Sequence, residues 1–494
     1  MKPHSALLGS PFQVPSKKRW ISTHGATMAR ILLLGILVAI PIPAQLPGAE
    51  NFLEKQLAAR LPGIRLKWEF RPPGLGYCCG HVLVADADGD GTSEVFVGSY
   101  TPEVYCLRGE DGAVLWSYKV DTGVVGCDCT TLADADGDGR LELIFGTEPQ
   151  PSLYVLHAGR DVQDRLLWRQ QLTGAFVAGG VAAFPGADNK TRIVVGTRWA
   201  SPQAQGHLYF FNGSKGIQYR QPIGEHDVCS CTPAVADVNG DGKLEFVYGN
   251  HKLRGIPLGG KVVCRRADDG QILWTYDLGD NTGSSTPTIC DLDDDGRPEV
   301  LATCVHDPGT KPPRWSTVAL RGADGTPIWE YPLCAGAGIA VGKIQGKAHV
   351  FGVSMCPEYP YVTCLRGIDG KPRWRQKIDV LGGAQPLVAD LDGDGKDELL
   401  YGDRANRLVI REAASGELLH VESFGDPAKP RHRNIGVGAI TLAGVDRDGC
   451  WELLFPSGDG YYRCLDTEWR IPPGASTEHR TKSVDLPRTG NRSW

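Results

Sequence analysis

Acidic side chains recur at alternate positions in short, glycine-containing stretches of this sequence. The first stretch places Asp86, Asp88 and Asp90 two residues apart, with Glu94 four residues further on. Carboxylates packed this densely repel one another, so either a cation neutralises them or solvent surrounds them in an open loop. Alternate residues of a looped backbone can point at one centre, and calcium takes about six to eight oxygen ligands at flexible geometry. The spacing therefore predicts a calcium-binding loop, completed by the carbonyl oxygen of Thr92.

The acidic stretch is repeated along the chain. Further complete copies begin at Leu132, Val235, Ile289 and Val388, a partial copy begins at Leu442, and degraded units begin at Ala182 and Ala340. Together these are eight units about 50 residues apart, a period typical of propeller blades. One acidic loop would be weak evidence for calcium, whereas five complete copies in phase with a structural period are strong evidence.

Each complete copy supplies three Asp or Asn ligands at alternate positions and a glutamate at the ninth position. The predicted calcium ligands are Asp86, Asp88, Asp90, Glu94, Asp134, Asp136, Asp138, Glu142, Asp237, Asn239, Asp241, Glu245, Asp291, Asp293, Asp295, Glu299, Asp390, Asp392, Asp394 and Glu398. In the eighth unit Gly444 replaces the first ligand and leaves Asp446, Asp448 and Glu452. The prediction is thus about five calcium sites, with an incomplete set of ligands in the eighth unit.

Two units have lost the pattern. The third unit carries Phe184 and Arg192 at the two end positions of the loop, and the sixth unit is shortened. We expect no calcium in either of these units.

Four short strands fit each unit. In the first unit the apolar runs are residues 80–84, 94–98, 103–109 and 113–120, bounded by Gly, Asp and Pro. Aromatic residues fall at the same place in successive fourth strands, where packing between blades is expected: Trp116, Trp168, Tyr219, Trp274, Trp329 and Trp374. These features predict an all-β, eight-bladed β-propeller.

Two segments compete to complete the last blade. Residues 64–70 (IRLKWEF) resemble a fourth strand but precede the first unit, whereas residues 466–471 (DTEWRI) follow the last one. We favour the N-terminal segment because it has three apolar positions, so the propeller should be closed by an N-terminal strand.

The acidic loops and the strands that follow them resemble the calcium loops of FG-GAP (VCBS-type) repeats, as in integrin α-subunit propellers. This resemblance implies calcium on one face of the propeller, at the ligands given above. A second resemblance lies in "CLRGEDGAVLWSY", "CRRADDGQILWTY" and "CLRGIDGKPRWRQ", which are similar to the tryptophan-docking repeats of quinoprotein (PQQ) alcohol dehydrogenases. Those enzymes are eight-bladed propellers, so the resemblance supports eight blades.

The predicted organisation has four parts. Residues 1–49 are an N-terminal extension with a signal peptide, residues 50–63 a short helix and linker, residues 64–470 the propeller, and residues 471–494 a polar tail. The signal is an apolar run after Met28-Ala29-Arg30, with small residues near Ala44 and Ala49. The run is too short for a spanning helix, which needs about 20 residues, so we expect export and no transmembrane helix in the mature chain.

Fifteen cysteines in an exported chain suggest disulfides. Several of them, with two nearby histidines, enter the innermost strands and should meet at one mouth of the central channel: Cys78, Cys79, Cys127, Cys129, Cys229, Cys231, His81 and His226. Cys334 has a similar place in the sixth unit. Disulfides between inner strands are the favoured interpretation; a soft-metal or redox site and a PQQ site against Cys78-Cys79 are the alternatives.

These observations predict an exported, monomeric calcium-binding propeller that acts as a binding or scaffolding module for a protein or carbohydrate ligand. The alternative is a propeller enzyme with its site at the cysteine-rich mouth: a quinoprotein-like or metal redox protein, or a polysaccharide lyase. The sequence contains no nucleophile elbow, HExxH motif or phosphate loop. The formal net charge of −6 shows no basic footprint for nucleic acid.

Overall fold

The computed structural model describes residues 63–472, except for 75–79, 99, 161, 174–175, 178–179, 187, 199–206, 215, 223–226, 230, 253–259, 279–285, 307–313, 336–337 and 426–435. These residues form 34 β-strands and no helix. None of their segments therefore has the long, apolar helix that would cross a membrane. The predicted signal peptide, the predicted helix and linker at 50–63 except its last residue, and most of the predicted C-terminal tail lie outside the described residues.

The strands follow one another in short, regular steps. The first half of the chain contains β1 (Arg65–Phe70), β2 (Leu83–Ala85), β3 (Glu94–Val97), β4 (Glu103–Arg108), β5 (Val114–Lys119), β6 (Val124–Ala133), β7 (Glu142–Glu148), β8 (Ser152–His157), β9 (Leu166–Gln171), β10 (Phe176–Val177), β11 (Ala182–Pro185), β12 (Thr191–Arg198), β13 (His207–Asn212), β14 (Gly216–Pro222), β15 (Asp227–Cys229), β16 (Ala234–Ala236), β17 (Glu245–Lys252), β18 (Lys261–Arg266) and β19 (Ile272–Asp277). The second half contains β20 (Thr288–Cys290), β21 (Glu299–His306), β22 (Arg314–Arg321), β23 (Pro327–Tyr331), β24 (Ile339–Ile344), β25 (Lys347–Val353), β26 (Tyr361–Arg366), β27 (Pro372–Lys377), β28 (Leu387–Ala389), β29 (Glu398–Gly402), β30 (Arg407–Glu412), β31 (Leu418–Ser423), β32 (Thr441–Ala443), β33 (Cys450–Pro456) and β34 (Tyr462–Arg470).

These strands form eight antiparallel sheets, which are the blades of a β-propeller. Blades 1, 2, 5, 6 and 7 are each built from four consecutive strands: β2–β5, β6–β9, β20–β23, β24–β27 and β28–β31. Blades 3 and 4 (β10–β14 and β15–β19) have a divided innermost strand, because β10 and β11 both pair with β12, and β15 and β16 both pair with β17. The predicted eight-bladed, all-β fold is confirmed.

Blade 8 joins the two ends of the propeller chain. Its order is β1-β34-β33-β32, so the N-terminal strand is its outermost strand, as predicted. Arg65 lies opposite Asp466 and Phe70 lies opposite Tyr462 in this antiparallel pair. Most of the competing segment, 466–471, forms the end of β34, which is the third strand of the blade counted from the innermost strand. There Arg470 pairs with Cys450 of β33. The surplus strand of the sequence is thereby accounted for.

The cores lie between neighbouring blades. Trp68 of blade 8, for example, packs in one apolar cluster with Val84 and Val95 of blade 1. The fourth-strand tryptophans confirm the predicted packing, because each indole nitrogen donates a hydrogen bond to a turn carbonyl of the next blade: Trp116 to Ala158, Trp168 to Gly213, Trp274 to Gly322, Trp329 to Gly367 and Trp374 to Ala413. Trp68 makes the same bond to Gly109 and so fills this position in blade 8.

Candidate cation-binding loops

The acidic loops connect the innermost strand of a blade to its second strand. In the first loop, residues 86–94, the backbone amides of Gly89 and Gly91 each donate to one oxygen of Asp86, both at 2.8 Å. The amides of Asp90 and Thr92 donate to Asp88 and Asp90, at 3.2 and 2.7 Å. These bonds wind the backbone around its own carboxylates and turn alternate side chains towards one centre.

The other complete loops repeat this geometry. The first aspartate accepts two amide hydrogen bonds from the fourth and sixth residues in the second, fourth and seventh loops, at distances of 2.7 to 3.0 Å. In the fifth loop Asp291 accepts from Gly296 at 2.9 Å and from Asp295 at 3.2 Å. Glycines with φ of +75° to +87° occupy both turn positions in loops 1, 2, 4 and 7, where a Cβ would strain the backbone. Asp294 holds the first of these positions in the fifth loop, with φ of 62°.

The ninth residue of each loop is a buried glutamate that begins the second strand or lies in it. Its Oε2 accepts a hydrogen bond from the amide of the second loop residue: Ala87 to Glu94, Ala135 to Glu142, Val238 to Glu245, Leu292 to Glu299, Leu391 to Glu398 and Val445 to Glu452. These six glutamates are at most 4% exposed. One carboxylate oxygen thus anchors the loop, and the other is left for the acidic centre.

Glu245 shows the electrostatic problem most clearly. It is fully buried, and its Oε1 accepts no hydrogen bond. Burial raises the pKa of Glu245 to about 7; the Val238 amide opposes this shift, and the charges of Asp241 and Asp237 add to it. The amide of Asn239 lowers the pKa to a lesser extent, although it makes no hydrogen bond to Oε1. A bound cation would satisfy this buried acceptor and offset the negative charge of the two aspartates.

The glutamates of the fifth and seventh loops also have raised pKa values. Burial raises the pKa of Glu299 to about 7 and that of Glu398 to about 8, and the neighbouring aspartates raise both further. Among the described ion pairs, no cationic side chain lies on either glutamate; the seventh loop has only Lys396, which pairs with the exposed Asp394 at 2.9 Å. In the fifth loop Lys343 and Lys347 likewise pair only with Asp294, so the two buried glutamates themselves have no cationic partner among the described ion pairs.

A histidine contacts the buried glutamate of the second loop. Nδ1 of His157 lies 3.0 Å from Oε1 of Glu142. Burial raises the pKa of Glu142, while its hydrogen bonds with Ala135 and His157 oppose that shift.

The first and eighth loops contain cationic side chains that the loop pattern did not reveal. Arg160, from blade 2, forms ion pairs with Asp88 at 2.9 Å and with Asp90 and Glu94 at 2.8 Å. Lys67, from β1, forms ion pairs with Asp446 and Glu452 of the eighth loop. Neither residue lies in an acidic repeat. Closure of the ring brings Lys67 to the eighth loop, and a longer turn between β8 and β9 of blade 2 brings Arg160 to the first loop.

The structure brings together most of the predicted ligands. In five loops, ligand atoms from three acidic residues lie within 4.8 Å of one another: Asp86, Asp88 and Asp90; Asp134, Asp136 and Glu142; Asp291, Asp293 and Asp295; Asp390, Asp392 and Glu398; Asp446, Asp448 and Glu452. The fourth loop has an amide, Asn239, at its second position, and its Nδ2 donates to Asp241 at 3.3 Å. In the third unit, Arg192 pairs with Asp188 at 2.9 Å and no acidic centre forms among the described residues.

The predicted cysteine-rich mouth falls mostly outside the described residues. This holds for Cys78, Cys79 and His226, and for the side chains of Cys127, Cys129 and Cys229. Of the remainder, Nε2 of His81 lies 3.2 Å from the carbonyl oxygen of Thr130, and the Cys231 sulfur accepts a hydrogen bond from the Gly249 amide at 3.2 Å. Cys334 forms a disulfide with Cys356 within blade 6 and its entry segment. The interpretation of the mouth stays a prediction.

Comparison with known proteins supports the fold and no finer identity. No protein-family model matches the sequence, and no curated protein matches it. Among solved structures, the V. cholerae biofilm matrix protein Bap1 is similar, with 14% identity, a TM-score of 0.56 and coverage of 83% of this chain and 92% of Bap1. A europium-containing methanol dehydrogenase has 14% identity and a TM-score of 0.59, covering 79% of this chain and 84% of its own. BamB from Moraxella catarrhalis has 13% identity and a TM-score of 0.53, covering 84% and 99%.

At these identities the likeness concerns the fold alone. The propeller is shared with a matrix protein and with dehydrogenases, so the architecture does not choose between a binding module and an enzyme. The function is therefore inferred from the acidic loops and their charges.

Proposed function

We propose that this protein is an exported β-propeller whose acidic loops bind calcium, and that the calcium-stiffened ring acts as a binding or scaffolding module. The observation that carries the proposal is the fully buried Oε1 of Glu245, which accepts no hydrogen bond, while the charges of Asp241 and Asp237 add to the rise in its pKa. A buried, unpaired carboxylate is costly, and a divalent cation between these groups would remove that cost. The all-oxygen, largely anionic set of donors suits calcium better than softer metals.

Four side chains of each complete loop would hold the ion. In the fourth loop they are Asp237, Asn239, Asp241 and Glu245, and the equivalent residues serve in the other complete loops. A bound ion would supply positive charge that links the loop to the start of the second strand, so that the end of the inner strand becomes rigid. The aspartates at the fifth position are exposed in all five complete loops, which leaves the sites open to exchange with solvent.

Export and calcium binding support each other. Extracellular modules commonly bind calcium at about 10⁻⁴–10⁻³ M, and solvent-open loops of this kind suit that range. The apolar run after Met28 is the predicted export signal. For the ring itself we propose a protein or carbohydrate ligand, because the blades of a propeller surround a central channel that can receive one.

Metal analysis and thermal melting of the purified full chain test this proposal. We expect bound calcium in stoichiometric amounts, a lower melting temperature in excess chelator, and recovery with calcium but less with magnesium, which demands stricter octahedral geometry. Asp392→Ala should reduce the calcium-dependent shift, whereas Asp111→Ala, at an exposed turn outside the loops, should leave it unchanged. An identical melting curve with chelator and with calcium would show that the loops are solvated turns.

The same preparation separates a module from an enzyme. Calcium alone favours the binding module, whereas copper, iron or a bound quinone would favour the redox alternative at the cysteine-rich mouth. Counting free thiols after denaturation adds a second measurement. Many thiols released together with a soft metal would overturn the disulfide interpretation.

A further inference from the structure

A lysine lies at the centre of the eighth acidic loop. Nζ of Lys67 pairs with Asp446 and lies 3.7 Å from Oε1 of Glu452 and 3.8 Å from Oδ1 of Asp466. The Lys67 side chain is 14% exposed, and those of Glu452 and Asp466 are 0% and 9% exposed. One ammonium therefore faces three carboxylates in a largely dry setting, as a metal ion would.

The eighth loop also recovers a carboxylate that its sequence lost. Gly444 occupies the first ligand position, but Asp466 of β34 brings Oδ1 to the ammonium from the neighbouring strand. This Oδ1 and Oε1 of Glu452 are both buried without a hydrogen-bond donor, so the ammonium is the positive charge that both oxygens face.

An arginine occupies the first loop in a comparable way. The Arg160 guanidinium contacts Asp88, Asp90 and Glu94, and its Nη2 also donates to Thr92 Oγ1 at 2.9 Å. These are three of the four side-chain ligands that a calcium ion would need in this loop. A guanidinium bonded to all three occupies the positions of the ion, so the two cations exclude each other.

Both loops flank the seam, by which we mean the junction of blades 8 and 1. A third cation spans it: Nε of Arg447, from the eighth loop, donates to the carbonyl oxygen of Gly91 in the first loop at 2.6 Å. Lys67 itself belongs to β1, the strand that closes the ring. The chain thus concentrates its own cations at the one junction that non-covalent contacts must close.

We propose that Lys67 and Arg160 replace metal ions in the eighth and first loops, so that ring closure does not depend on calcium, while the second, fourth, fifth and seventh loops bind it. This inference rests on the proposed calcium binding by those four loops. It revises the expected number of sites from about five to four, and it makes the eighth loop a latent calcium site formed by Asp446, Asp448, Glu452 and Asp466.

Calcium counting on the full chain, by equilibrium dialysis with metal analysis, tests the replacement. We expect four calcium ions for the natural protein and five for either Lys67→Met or Arg160→Met, since each change empties one acidic centre. Lys119→Met, on the exposed outer edge of blade 1, and Arg108→Met, which removes a surface pair with Asp111, should leave the number at four. Five or six ions on the natural protein, with no gain in either variant, would overturn the proposal.

Melting in excess chelator gives a reading that does not depend on calcium. Lys67→Met should lower the melting temperature because it leaves buried carboxylates uncompensated, and adding Asp446→Asn to it should restore part of the loss. Should the natural protein bind no calcium, the proposed function fails while this coupling still supports Lys67 as the resident cation. Additive effects of the two substitutions would overturn that role. If Lys67→Met fails to fold, the same comparison of single and double substitutions can be made with Arg160→Met and Asp88→Asn, which lie away from the closing strand.

Discussion

The indole nitrogen of Trp68 donates a hydrogen bond to the carbonyl oxygen of Gly109, 2.7 Å away, and so joins the last blade to the first. The side chain is 7% exposed, and a Cβ built on Gly112 would lie 2.7 Å from its ring. Trp274 makes the equivalent contact with Gly322 inside the ring, also at 2.7 Å. The same tryptophan-to-carbonyl contact therefore joins neighbouring blades inside the ring and closes the ring between blades 8 and 1.

Trp68→Ala should destabilise the protein by about 3–5 kcal/mol, the usual cost of removing a large buried aromatic side chain. Urea unfolding measures this change. Trp274→Ala is the matched control, because it removes the same contact between interior blades. Only the Trp68 variant should also release β1 under limited proteolysis, since β1 is the outermost strand of blade 8 and pairs there only with β34. Identical cleavage patterns would contradict a special role for this contact in closure.

Glu245→Gln should remove one calcium ion from the protein while leaving the fold intact. At a calcium concentration about tenfold above Kd, the lost stabilisation is about 1.4 kcal/mol. In chelator the variant should be at least as stable as the natural protein, because an amide is cheaper to bury than a carboxylate. Isothermal titration and melting in both conditions measure this. Glu110→Gln, at an exposed turn, is the control, and a full complement of calcium on Glu245→Gln would exclude the glutamate as a ligand.

The buried glutamates predict a pH dependence. In the folded protein the pKa values of Glu245 and Glu299 are raised to about 7 and that of Glu398 to about 8, above the ordinary 4.5. Since folding favours the protonated form, their contribution to stability is greatest below about pH 4.5 and is lost as the pH rises towards 8. In excess chelator, the contribution of these three glutamates to the melting temperature should therefore decrease as the pH rises from about 4.5 to about 8.

Calcium should reverse this trend, because the ion displaces the proton from the glutamates. Calcium affinity should rise between pH 6 and pH 8, with proton release that titrations in buffers of different ionisation enthalpy measure. An affinity that stays constant over this range would contradict direct binding by these side chains.

Asp294→Gly should stabilise the protein by about 0.5–1 kcal/mol, because Asp294 adopts a φ of 62° that glycine accepts without strain. Its ion pairs with Lys343 at 3.6 Å and Lys347 at 3.3 Å are exposed and worth little. Chemical denaturation measures the gain. Asp293→Gly, one residue earlier, is the control and should weaken calcium binding; a loss of stability in Asp294→Gly would show that the lysine contacts outweigh the strain.

The repeats of the sequence determined the architecture. Eight units of constant period specified eight blades, and apolar runs between turn residues specified their strands, because a blade cannot bury its faces alone and must stack on the next. The spacing of Trp116, Trp274 and Trp374 likewise predicted their packing between blades. Closure was predictable as well, since residues 64–70 carry the fourth-strand pattern with Trp68 in its place.

The tertiary structure decided how the negative charge of each loop is balanced. The loop sequences at Asp86 and Asp390 are almost the same, yet Arg160 reaches only the first of them, from another blade. Lys67 meets Asp446 across 379 residues of chain. The local pattern fixes the positions of carboxylates because they share one loop, but the partner of a buried charge is set by whichever distant side chain the closed ring brings within ion-pairing distance, and that distance exists only in the folded protein.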